Sequence, residues 1–499
     1  MDYVITADEM KRADAATMET FHVPSVVLME RAALRVYETV REITPHPVRA
    51  LIVCGTGNNG GDGMALARMM HLAKDETDLV VLGDRSKASS EARRQIRILE
   101  AYGVPILTQI PEREYDWVID AIFGISLSRD VGGIYADAVR KMNALSGRKL
   151  AVDISSGISA DTGKVMGVAF RADHTVTMAY AKYGQMLYPG KEYTGRLHIA
   201  QIGITKESFC NDLPKGCFYD KSDLSRIPAR QKNSNKGTYG KLLSITGSEN
   251  MAGASFLASS AAYRVGAGLV YIETPEANRQ IMQTLLPEAV LYSYWNGLTL
   301  QAAEHAQTMT AVICGCGLGM KDDSRSIVEN LLRDADKPLV LDADALNLIA
   351  AYERIRNLAV SYRGPLILTP HAGEAARLLN TAIPQIKDDP IGSAKALSSA
   401  FGCITVLKDA VTVVTDADQV FINTSGTNAM AKGGSGDVLT GIIGGLLSQH
   451  ADPWTAATVG VYLHGLAGEA AAEQTGSYSM LGRDLTDGIT AVLSGDYSG

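Results

Sequence analysis

Apolar residues fall at helical spacing over 7–21 and 24–41, with Pro24 and Ser25 between the runs and Pro45 and Pro47 after the second, which predicts two leading helices. A continuous apolar run, Val48-Arg-Ala-Leu-Ile-Val-Cys54, then meets Gly55-Thr-Gly-Asn-Asn-Gly-Gly-Asp-Gly63 and the helical pattern from Met64 to Leu72. The order is strand, glycine-rich turn, helix. Alternation continues through Asp78 to Leu82, a helix over 88–101, Asp116 to Phe123, a helix over 134–145, and Lys149 to Ile154. Such βαβ order predicts a parallel sheet whose ligand crevice lies at the carboxyl ends of the strands. The pattern lapses between Gly203 and Gln231, where a domain junction is expected. Past Lys236-Gly-Thr-Tyr-Gly240 a second α/β series begins, with a strand from Lys241 to Thr246 and a helix of small residues to Val265. Asn-Asn-Gly-Gly-Asp does not recur there, so the second series is a separate fold.

Candidate chemistry sits at the predicted strand ends. Gly55, Gly57 and Gly60 meet the Gly-x-Gly-x-x-Gly spacing of dinucleotide sites, a weak signal alone. Asn58-Asn-Gly-Gly-Asp62 adds two amides and a carboxylate, oxygen ligands that suit a hard cation; an Asx-bonded turn would look the same. Asp120 and Asp153 end two strands, either as ligands or as ordinary caps, and Ser155-Ser-Gly157 follows the second. The second series has Ala311-Val-Ile-Cys-Gly-Cys-Gly-Leu-Gly319, Leu341-Asp-Ala-Asp-Ala-Leu346, Leu368-Thr-Pro-His-Ala-Gly-Glu374 and Val406-Leu-Lys408. Its centre is Asn428-Ala-Met-Ala-Lys-Gly-Gly-Ser-Gly-Asp437, running into an apolar helix. Glycines there free backbone N–H groups for an anion. An acid among those donors would repel a phosphate, so Asp437 either caps the helix or takes a proton from a substrate hydroxyl near a transferred phosphoryl group. Lys432 could contact phosphate or face solvent.

Asn58-Asn-Gly-Gly-Asp-Gly63, Asp120-Ala-Ile-Phe-Gly124 and Val152-Asp-Ile-Ser-Ser-Gly157 together resemble the N-terminal domain of the YjeF family, the NAD(P)H-hydrate epimerases, over residues 1–215. The resemblance implies a Rossmann-like three-layer α/β domain. It also implies that Asn58, Asn59, Gly60, Gly61 and Asp62, with Gly124, Ile125, Ser126, Leu127, Ser128, Arg129 and Asp130, hold the hydrated dinucleotide. Asn59, Asp120 and Ser156 match positions that hold a potassium ion, and Asp153 matches a substrate contact and the acid/base. Two departures stand out. Gly124-Ile-Ser126 replaces the family's Gly-Thr-Gly, so two side chains must be accommodated, and Ser155-Ser-Gly157 replaces Pro-Ser-Gly.

The motifs of residues 225–499 resemble, in family order, the ribokinase-like fold and within it the ADP-dependent NAD(P)H-hydrate dehydratases. By that resemblance Ala254, Gly317, His371 and Asp437 hold the hydrated dinucleotide. Lys408, Asp409, Ala410, Val411 and Thr412, with Gly433, Gly434, Ser435 and Gly436, form the site for ADP and its Mg2+. Asp409 stands where many members have a small residue. Asp437 would activate the C6 hydroxyl for phosphorylation, and elimination would regenerate the nicotinamide. Together the halves imply a bifunctional isomerase and lyase that repairs hydrated NADH and NADPH.

Length and charge narrow the alternatives. At 499 residues two or three domains are expected. With 47 basic and 55 acidic residues, a net −8, nucleic acid and membrane surfaces are poor partners. Small molecules are expected instead, in a homo-oligomer. Six cysteines in no zinc-like spacing read as free thiols, and without a signal segment or an 18-residue apolar run a soluble, cytoplasmic protein is expected. Two rivals remain: a kinase of a small hydroxylated molecule, and an N-terminal module that binds without turnover.

Overall fold

The computed structural model describes residues 1–294 and 302–495, and the chain divides into two compact units, Asp2–Cys217 and Phe218–Gly499. Both are α/β. In the first, seven parallel strands lie in the order Ile106–Leu107, Glu76–Val81, Arg49–Cys54, Trp117–Ala121, Arg148–Val152, His174–Met178, Arg196–Ala200. Ala50 to Cys54 and Trp117 to Ala121 are buried, as expected of strands covered on both faces. The leading helices are Ala7–Glu19 and Ser25–Ile43. The first starts at Thr6, whose hydroxyl accepts from Glu9 N (3.2 Å) while the Glu9 carboxylate accepts from Thr6 N (2.7 Å), a reciprocal cap. The second buries Leu28, Met29, Ala32, Ala33, Val36 and Val40 at helical spacing against the sheet core. Each fully buried branched side chain there contributes roughly 1.5–3 kcal/mol.

One boundary differs from the sequence reading. Asn58-Asn-Gly-Gly-Asp62 is not a loop but the opening of the helix Asn58–Leu72. Its glycines serve packing: a Cβ on Gly60 would sit 2.0 Å from the Gly55 carbonyl oxygen, so the helix start closes against the preceding turn as only glycine allows.

Among the described residues of the second unit nine strands run in the order Val290–Tyr294, Leu269–Pro275, Lys241–Ile245, Ala311–Cys314, Leu339–Leu341, Leu366–Leu368, Ile404–Leu407, Val413–Thr415, Val420–Ile422. All neighbours are parallel except the last two pairs, which are antiparallel. Helix Ser435–Ser448 is buried from Val438 onward and packs on Ala252–Arg264. Their approach is close, since a Cβ on Gly441 would meet the Ala258 carbonyl at 2.0 Å. The helix that carries Asp437 is thus anchored in the core. All six cysteines are free thiols, and Cys210 alone is exposed. Among the described residues no helix is long and apolar enough to cross a membrane.

Candidate active sites

In the first unit the carboxyl ends of the strands open into a cavity of about 780 Å³. Asn58, Asn59, Asp62, Gly124, Ile125, Ser126, Leu127, Ser128, Arg129 and Asp153 all line it, so the two sequence segments and the strand-end aspartate converge. Gly60 and Gly61 are buried behind it in the helix, and Asp130 is exposed beyond its rim. The Ile125 side chain is accommodated by packing against the apolar core.

Asp120 and Ser156 lie together beneath this cavity. Fully buried Asp120 accepts from Ser156 Oγ and Ser156 N (both 2.7 Å) and from Ile122 N (3.1 Å). Burial pushes its carboxyl up to about 6. Both amide atoms of Asn59 are buried with no hydrogen-bond partner. Gly124 ties Asn59 to Asp153: a Cβ there would lie 3.3 Å from both Asn59 Cβ and Asp153 Oδ2.

Asp153 holds a left-handed backbone, φ +66°, which aspartate tolerates better than most residues. Its Oδ1 pairs with Lys182 Nζ at 2.7 Å, and Lys182 is wholly buried. Glu91 lines the same cavity, as do two further acids, Asp14 from the first helix and Asp62. Burial, then Asp153, raises both, with Asp62 held well above the carboxylate range. Lys182 and Asp14 were missed from sequence. Asp14 reads there as a surface acid on an amphipathic helix, and nothing around Lys182 marks it as buried.

In the second unit Gly434 (φ +96°) precedes helix Ser435–Ser448 and no side chain caps it. Asp437 is its third residue and does not cap; Ser435 N donates to the Lys432 carbonyl at 3.4 Å, and the remaining N–H groups of the first turn face an anion site. Burial, then Asp342, pushes Asp437 up to about 6. Asp342 accepts from Lys408 Nζ (2.6 Å) and Thr440 Oγ (2.8 Å), and a Cβ on Gly436 would lie 3.5 Å from Lys408 Nζ. Lys408 also pairs by backbone with His371. His371 Nδ1 accepts from Gly373 N (2.9 Å) and Glu374 N (3.3 Å), so the ring proton belongs on Nε2. Burial, then Lys408, lowers its pKa, leaving a neutral donor. Glu374 is pushed up to about 7 by burial.

Ala254 and Gly317 adjoin, a Cβ on the glycine falling 2.8 Å from that of Ala254. Val411 is buried and Thr412 O accepts from Asn423 N (3.0 Å), whereas Asp409 points outward toward Lys387 (3.9 Å). Ser435 Oγ meets the buried His464 Nε2 (3.3 Å), and Lys432 Nζ donates to the Tyr478 carbonyl. Asp342, Glu374, Thr440 and His464 join the predicted residues here. Asp342 was visible as one of two strand-end aspartates, but the sequence does not say which of them faces Lys408.

Residues 25–184 match the family model for the YjeF-related protein N-terminus, and residues 242–491 match that for NAD(P)H-hydrate dehydratase. A bifunctional NAD(P)H-hydrate repair enzyme of Moorella thermoacetica is 36% identical over 514 residues, covering 98% of this chain and 96% of that protein. The Escherichia coli enzyme of the same name is 32% identical over 98% of this chain and 93% of its own length. Among solved structures, an ADP/ATP-dependent NAD(P)H-hydrate dehydratase from Bacillus subtilis co-crystallized with ATP/Mg2+ aligns with a TM-score of 0.50 at 32% identity. It covers 56% of this chain and 98% of its own. With both of its sites built from the segments these matches span, the chain belongs to the bifunctional NAD(P)H-hydrate repair enzyme family.

Proposed function

We propose that this chain repairs hydrated NADH and NADPH, the N-terminal cavity interconverting the R and S forms and the C-terminal site dehydrating the S form with ADP, giving AMP and phosphate. The carrying observation is Asp437, a half-buried acid at the start of an uncapped helix beside the Lys408–Asp342 pair. As carboxylate it takes the proton of the C6 hydroxyl while that oxygen attacks the terminal phosphoryl group. The N–H groups of Gly433 to Gly436 and the ammonium of Lys408 bear the charge that develops. Phosphate then leaves C6, pushed by the ring nitrogen, and loss of a proton from C5 restores the dihydropyridine. Neutral His371 donates from Nε2 and orients the ring. Mg2+, which accompanied ATP in the Bacillus subtilis crystals, neutralises the nucleotide phosphates when bound.

The test is recovery of reduced-nicotinamide absorbance from mixed hydrate epimers with ADP, with ATP, or without nucleotide. Recovery beyond one epimer's share, with one free phosphate per dihydropyridine, is expected. A phosphorylated product without free phosphate would establish the small-molecule kinase instead.

Since Asp437 must be ionised to act and titrates near 6, dehydration is expected to fall as pH drops through about 6 and to level off above 7. A flat kcat profile between pH 5 and 7 would remove Asp437 as base.

For the first cavity we assign potassium to Asn59, Asp120 and Ser156. An unpartnered buried amide costs roughly 1–3 kcal/mol, and a cation would use the Asn59 oxygen while balancing the buried Asp120 carboxylate. Epimerisation is expected to be faster in potassium than in lithium chloride at equal ionic strength, and Asn59→Ala is expected to abolish that difference. Equal rates of wild type in both salts would refute the assignment. The buried thiols suit a reducing, cytoplasmic setting.

A further inference from the structure

Lys182 is wholly buried, outside the cavity lining, and its Nζ has three acceptors: Asp153 Oδ1 (2.7 Å), Thr177 Oγ1 (2.8 Å) and Met178 O (3.0 Å). That uses all three of its protons. Around Asp153 the fold adds Met178 N to Oδ1 (3.3 Å), Gln185 Nε2 to its carbonyl (2.6 Å) and its own N–H to Val176 O (2.8 Å). The Lys182, Thr177 and Met178 contacts converge on Oδ1, while Oδ2 faces Gly124 at the cavity wall. The other charged groups that line this cavity are Lys11, Asp14, Asp62, Glu91 and Arg129, of which Asp14 and Asp62 feel the charge of Asp153. Neither has a cation partner among the described ion pairs. Lys182 therefore distinguishes Asp153 from the other carboxyls of the cavity. Burying an ammonium costs several kcal/mol before pairing, and apolar replacements of buried pairs are often neutral or stabilising, so fold stability alone is a weak reason for it.

We infer that Lys182 is a positioning residue of the epimerase site: its ammonium, held by three acceptors, anchors Asp153 through Oδ1 and turns Oδ2 toward the reacting carbon. This rests on the epimerase reading of the cavity. Interconversion at C6 breaks one bond to that carbon and remakes it on the other face, so one group gives a proton and another takes one, with no net change.

The experiment is a double-mutant cycle in the full chain with Lys182→Met, Asp153→Asn and both together, measuring epimerase kcat and KM with excess independent dehydratase. Lys182→Met is expected to lower kcat about 100-fold with KM within about twofold. In the Asp153→Asn background the same change should cost less than about twofold, because its effect passes through Asp153. Thr177→Val, which removes one of the three acceptors and keeps the pair, should lower kcat about fivefold with the same unchanged KM. It answers the question if Lys182→Met does not fold. Losses that multiply in the double variant, or a change confined to KM, would overturn the inference. A wild-type chain that fails to epimerise would overturn the reading of the cavity along with it, whereas an active wild type matched by Lys182→Met would overturn the inference alone.

Discussion

Asp437→Asn is expected to lower the dehydration kcat by at least about 1,000-fold while epimerisation proceeds at the wild-type rate. The substitution keeps size and shape but removes the carboxylate in the first turn of helix Ser435–Ser448. Asp342, the nearest other acid, is committed to Lys408 and Thr440 and cannot take its place. Because Gly434, not Asp437, stands at the cap position, helix stability should be nearly unaffected and the melting temperature should stay within a few degrees. KM for ADP should change little, since Lys408 and the helix N–H groups remain. The measurement is phosphate release from the S hydrate beside epimer exchange in the same preparation. Loss of both activities in a folded variant would contradict two independent sites.

Asp153→Asn should do the reverse, lowering epimerisation by about 1,000-fold and sparing dehydration. Asparagine accepts the left-handed backbone at this position as readily as aspartate, so the strand end keeps its path. The buried ammonium of Lys182 then lacks its counter-charge. Breaking a buried pair in this way costs about 3–5 kcal/mol, so the N-terminal unit should melt earlier, and Lys182→Met in the same chain should restore most of that loss. Survival of epimerisation in Asp153→Asn would favour a cavity that binds, with the chemistry carried elsewhere.

The parallel sheets, both glycine motifs and the pair Asp153 and Asp437 could be read from the sequence because each rests on local pattern: apolar runs of strand length, glycines at fixed offsets, acids at strand or helix ends. Lys182 could not. Its meaning comes from a carboxylate 29 positions earlier and from burial that Ala-Tyr-Ala-Lys-Tyr-Gly does not announce. Asp14 was hidden for the opposite reason, since acids on amphipathic helices usually face water. The helical start at Asn58 was obscured by glycines that ordinarily break helices; here they serve a close contact with Gly55. His371 was visible, but its tautomer depends on two backbone N–H groups that only the folded turn brings to Nδ1.

The cysteines have a consequence for durability. Burial raises the thiols of Cys54, Cys314, Cys316 and Cys403, so almost no thiolate is present at neutral pH, and thiolate is the form that peroxide attacks. Cys316, hydrogen-bonded to the Asp342 that pairs with Lys408, is shielded in the same way. The exposed Cys210 is the thiol an oxidant is expected to meet first, with Cys316 and Cys314 protected by their burial.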